Sequence, residues 1–164
     1  TILARRGAIV TELSATELQE LLEIRAGLFD MVVRKLAVNP RPELLAMLRA
    51  GVQRLEALAP LADAGNEYAE TTYCLLILCA RQSGNKRLQR MLTALSLQTL
   101  RYSKMGLAST ERRLQSAKLW RQATQALENA DVERMLALTR QRIEESGAEA
   151  IRQLALHQNT KGTP

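Results

Sequence analysis

With 164 residues, 46% of them hydrophobic and 24% charged, the chain is most simply one domain that buries a full core, and its composition argues against disorder. Aromatic residues make up only 3%, which argues against a base-stacking surface for single-stranded nucleic acid. The 23 basic and 17 acidic residues leave a net charge of +6, which invites an anionic partner, yet they are interspersed as on an ordinary solvated helical face.

In chain order, Arg5-Arg6-Gly7-Ala8 followed by Ile9-Val10-Thr11 reads as a turn and a short strand. No later β-patterned segment could pair with it, so residues 1–13 look like the end of a preceding unit. Ser14 and Glu17 form a capping box that opens a first helix. Its apolar stripe includes Leu18, Leu22, Phe29, Val32 and Leu36, and Arg25 falls in the middle of it. Pro40-Arg41-Pro42 ends that helix, and a second runs from about Glu43 to Ala59.

The third helix holds Tyr73 to Ala80, YCLLILCA, eight residues without a charge or a strongly polar group. A helix apolar on every side is expected to be buried, and this run is far shorter than the about 20 residues that span a bilayer. One central helix with the others packed around it is the expected arrangement. Glu70, one turn before Cys74 on the same face, would then be a carboxylate entering a core and in need of a partner. Ser83-Gly84-Asn85 stops this helix and caps a fourth, which Gly106 closes. Ser109 caps a fifth helix with Ala117, Trp120, Ala123, Thr124 and Leu127 on its inner face. Asp131 caps the last, whose inner face holds Met135, Thr139, Arg142 and Ile143. The domain is expected to span 14–157, with a frayed tail over 158–164. The fold class is all-α, an antiparallel bundle of six or seven helices without internal repeats.

Enzyme signatures are missing: no Gly-rich phosphate loop, no HExxH and no nucleophile motif occurs. The single histidine, His157, lies in the tail. No catalytic role, cofactor or membrane span is expected. Cys74 and Cys79, five apart on one helix, point in different directions and cannot bridge. With no signal or lipidation motif, they suggest a reducing, cytoplasmic setting. What remains is Arg25, Glu70 and Arg142, polar residues where the helical pattern asks for apolar ones. They are either ion pairs closing the core or the lining of a polar cavity. Arginine suits carboxylate or phosphate ligands because its fork binds them bidentately.

Three segments, LLEIRAGLF, AETTYCLLILCARQSGNKRLQRML and LWRQATQALENADVERMLALTRQRIEE, occur in an order that resembles the C-terminal effector-binding (FCD) domain of FadR-like GntR transcription regulators. RRGAIVTELS resembles the end of the wing of the winged helix-turn-helix domain that precedes it in that family. The resemblance implies a homodimer, operator DNA as partner through that separate domain, and a small organic acid or acyl derivative as effector. Many members hold a divalent metal through an aspartate and three histidines. The matching positions here are Glu70, Cys74, Trp120 and Arg142, a set in which Trp120 cannot ligate and Arg142 would repel a cation. The resemblance therefore implies no metal, and an anionic effector held by Arg25, Glu70, Cys74, Trp120 and Arg142, with Arg142 supplying the positive charge. A helical adaptor without a small-molecule site is the competing reading.

Overall fold

The computed structural model describes residues 12–162, in which six helices and no strand form. They are α1 (Ala15–Val38), α2 (Pro42–Leu58), α3 (Gly65–Gln82), α4 (Lys86–Gly106), α5 (Thr110–Glu128) and α6 (Val132–Lys161). This is the expected all-α bundle. The turn and strand expected over residues 5–11 lie outside the described residues. The last helix runs on through the expected tail to Lys161, with Gln158 donating to the Leu13 carbonyl at 3.3 Å.

Local signals set the helix ends. The Ser14 hydroxyl accepts from Glu17 N–H and the Glu17 carboxylate accepts from Ser14 N–H, closing the capping box in both directions. Asn85, Ser109 and Asp131 each accept from a backbone N–H three residues on, which satisfies one orphan donor per helix. Gly84 sits at φ +74, the left-handed conformation that ends α3 and turns the chain into α4.

Between the ends, period-3.6 stripes bury one face of each helix. Leu18, Phe29, Val32, Leu44, Leu48, Leu55, Leu88 and Leu127 are among the buried side chains, each worth about 1.5–3 kcal/mol of apolar burial. The expectation that α3 is buried on every side is corrected, since Cys74 is exposed and Tyr73, Ile77 and Leu78 are only half-buried. α3 packs against α1, α2, α4 and α5, and α6 packs against α1, α4 and α5. The α4–α6 crossing is so close that a Cβ on Gly106 would stand 2.2 Å from the Ser146 carbonyl oxygen, so only glycine fits there.

Candidate functional site

The inner faces of α1, α3, α4, α5 and α6 are not uniformly apolar. Arg25, Thr72, Ser96, Thr99, Arg113, Ser116, Thr124, Thr139 and Arg142 are all buried. Two of the arginines have no counter-charge among the described residues. Arg25 Nη1 donates to the Thr99 hydroxyl at 2.9 Å, and that hydroxyl donates to the Leu95 carbonyl at 2.8 Å. Arg142 lies over the Trp120 ring, its guanidinium carbon 4.1 Å from the ring centroid. Among the described residues no carboxylate pairs with either arginine, and the Nε–H of each, like the Trp120 indole N–H, is buried without an acceptor.

The electrostatics follow from that geometry. Burial lowers both guanidinium groups to about 10, and Arg142 is pushed further down by the like charge of Arg25. Tyr68 and Cys79 stand close enough to Arg142 for their ionised forms to act back on it. Burial raises Tyr68 to about 12, and its hydroxyl, beside Ser116, has no well-aligned partner. Cys79 is likewise pushed up to about 12 by burial. Two cations, a stacked indole and unused donors thus meet in a largely buried place. Charged groups in that state cost several kcal/mol unless an anion joins them.

Of the five residues expected at the site, the structure places Arg25, Trp120 and Arg142 on inner faces. Glu70 and Cys74 are corrected. Glu70 points away from the core and pairs with Lys104 at 2.9 Å. Cys74 is exposed, on the wall of an open groove of about 620 Å³ between α3 and α4. The physical reason is phase. The buried positions of α3 are Tyr68, Ala69, Thr72, Leu75, Cys79 and Ala80, and residues 70 and 74 sit about 200° round the helix from residues 68 and 72. The apolar run hid that phase because the outer face, with Ile77 and Leu78, is apolar too and only half-buried. A carboxylate shared between the two arginines is therefore not there.

The same placement bears on which groups could hold a metal. The Glu70 and Cys74 side chains leave the bundle, Trp120 has no ligating atom, and Arg142 is a cation. Among the described residues, no three of His, Cys, Asp and Glu come together. The donor set does not fit a four-coordinate metal centre.

Arg113 is the residue that sequence reading passed over. It is fully buried, and its donors reach the carbonyls of Ala59 (3.2 Å), Leu61 (2.6 Å), Leu107 (3.1 Å) and Ala108, and the Thr110 hydroxyl (3.1 Å). The signal was present, since Arg113 stands four before Ala117 and seven before Trp120 on the inner stripe of α5. Its role is to close the ends of α2 and α4, not to hold a ligand.

The two thiols offer a check on the phase of α3. A thiol reagent at pH 8 is expected to modify Cys74 rapidly and Cys79 only after denaturation, because Cys79 is 1% exposed and overwhelmingly protonated. Mass mapping of the labelled peptide reads this, and rapid native labelling of Cys79 would contradict the placement.

The FCD domain family profile matches residues 20–145. In three dimensions the chain is similar to a solved structure reported with the finding that "Lar controls the expression of the Listeria monocytogenes agr system and mediates virulence". The two superpose with a TM-score of 0.74 at 19% identity, over 85% of this chain and 66% of that one, a likeness of fold alone. No curated protein matches the sequence. Among the described residues, no helix is long and apolar enough to cross a membrane.

Proposed function

The chain belongs to the FCD domain family, and from that premise we propose that it is the ligand-sensing, dimerising domain of a cytoplasmic FadR-like GntR transcription regulator, with a small organic anion as effector. In this reading a winged helix-turn-helix domain, preceding residue 14 in the full protein, contacts operator DNA. One observation carries the ligand reading: Arg25 and Arg142 are buried without a carboxylate. A carboxylate or phosphate placed between them would neutralise the charge and accept from the unused Nε–H groups.

The clefts of about 620 Å³ (α3–α4) and 480 Å³ (α1–α6) are lined by neither arginine nor by Trp120. Room for the anion therefore comes from within the site. The effector takes the face of Arg142 that Trp120 covers, and the indole swings aside. It also competes with Thr99 for Arg25. Arg25 is on α1, Thr99 on α4 and Arg142 on α6, so occupancy changes how three helices hold each other. An effector that prefers one arrangement shifts the population toward it, and DNA binding feeds back on effector affinity by the same factor.

Trp120 is the only tryptophan in the chain, which makes it a reporter. Titration with a panel of mono- and dicarboxylates and phosphate is expected to change its emission with saturation by at least one of them. The adaptor reading expects no saturable change from any. The same chain, purified without an affinity tag, is expected to carry well under one zinc, nickel or manganese per molecule by elemental analysis. A stoichiometric metal lost on Glu70→Ala would overturn the donor argument.

A further inference from the structure

Among the described residues Arg25, Arg113 and Arg142 are the buried arginines, and their N–H groups meet very different surroundings. Arg113 directs all of its donors at backbone carbonyls and one hydroxyl. Arg25 makes a single such bond, from Nη1 to the Thr99 hydroxyl at 2.9 Å. Arg142 makes none among the described residues, and the Trp120 ring covers one of its faces. A guanidinium carries five donors in a planar fork. Most of those on Arg25 and all of those on Arg142 are therefore unused by the protein. The Nε–H of each, with the Trp120 indole N–H, is fully buried in that state.

The polar groups that share these inner faces are neutral. Thr139 lies three residues before Arg142, Ser96 three before Thr99, and Thr124 four after Trp120, spacings that put each on its neighbour's face. All three are buried. The Tyr68 hydroxyl and the Cys79 thiol also act on Arg142, and burial keeps both protonated at neutral pH. Hydroxyls can bond to the oxygens of a ligand, but they cancel no charge. Two positive charges are left over. One carboxylate offsets one of them, and its two oxygens fill one guanidinium fork. The second arginine would stay buried without a counter-charge, the costly state.

We propose that the site takes a small dianion in preference to a monoanion of the same skeleton, with Arg142 holding one acid group and Arg25 the other. Two carboxylates, or one phosphate with its three acceptor oxygens, supply both the charge and the acceptors. The two guanidinium groups are near enough for the charge of Arg25 to act on Arg142, so one small molecule reaches both. Ligand charge then decides what occupancy does to the fold. A monoanion on Arg142 leaves the Arg25–Thr99 bond between α1 and α4 in place. A dianion draws Arg25 from Thr99 and links α1 to α6 instead. The inference rests on the ligand reading above and adds the charge that the ligand must carry.

Titration calorimetry and Trp120 emission at pH 8 test it on the whole chain with matched probes. Malonate, succinate and glutarate are each compared with the monocarboxylate of equal carbon count, propionate, butyrate and valerate. Inorganic phosphate is compared with dimethyl phosphate, which tells a dicarboxylate site from a phosphate site. At least one dianion is expected to bind about tenfold or more tightly than its matched monoanion, one molecule per chain. Arg25→Met should bring the two affinities together, and Arg25→Lys, which keeps the charge, should preserve the gap. Circular dichroism melts confirm that each variant folds. The wild-type ratios need no variant, so they decide the charge preference even where Arg25→Met does not fold. Monoanions that bind as tightly as their dianions, or two monoanions bound per chain, overturn the preference and leave the ligand reading standing. A gap that persists in folded Arg25→Met removes Arg25 from the site. A wild type that answers no probe overturns both the preference and the ligand reading.

Discussion

Arg113→Ala is expected to destabilise the domain by about 3–5 kcal/mol, lowering the thermal midpoint by roughly 10 °C or preventing folding at 37 °C. The guanidinium is fully buried, and its five donors meet five acceptors on three segments. The carbonyls of Ala59 and Leu61 follow the end of α2, and those of Leu107 and Ala108 follow the end of α4. Helix C-termini carry partial negative charge on carbonyls without intrahelical partners. Arg113, in the first turn of α5, supplies both the cation and the hydrogen bonds to two such ends at once. Truncation leaves the carbonyls of Ala59, Leu107 and Ala108 without their donor, each costing about 1–3 kcal/mol if it finds no other, while that of Leu61 keeps Ala64 N–H. Arg113→Lys should recover only part of the loss, since an ammonium has three donors and no planar fork. Arg121→Ala is the control: its exposed pair with Glu56 should hardly affect the melt. If Arg113→Ala melts like wild type, the arginine is not what closes these helix ends.

The same fold shows where sequence could and could not be read. Caps were legible because Ser14, Asn85, Ser109 and Asp131 each act on the next turn of their own helix. Such chemistry is complete within four residues and needs no tertiary knowledge. Arg25 and Arg142 were legible because a cation breaks an otherwise apolar stripe. Glu70 and Cys74 were misread because YCLLILCA has no polar residue to set the phase of α3, and the helix presents apolar side chains to a groove as well as to the core. Arg113 escaped because its partners are backbone carbonyls. Carbonyls carry no sequence signature, and the segments that supply them are over 50 residues apart from it for Ala59 and Leu61.

For Arg142, methionine is expected to act in the opposite direction to any substitution of Arg113. Arg142→Met should stabilise the ligand-free domain by about 1–3 kcal/mol, raising the midpoint by several degrees, and abolish the response of Trp120 to organic anions. Arg142 has no carboxylate, its Nε–H has no acceptor, and burial holds it down to about 10, with the charge of Arg25 adding to the shift. The stack on Trp120 returns about 2 kcal/mol for a desolvated cation, which is less than the several kcal/mol of burying an unpaired charge. Methionine keeps the length of the side chain and a polarizable contact with the indole, so little volume is lost. Relief from Arg142 also leaves Arg25, still bonded to Thr99, as the one remaining cation of the pair. Thermal melts and Trp120 emission on wild type and variant give both readouts from one preparation. Higher stability with lost response is the mark of an arginine kept for a ligand. A variant that melts several degrees below wild type, or that still answers the same anions, makes Arg142 a structural residue and removes it from the site.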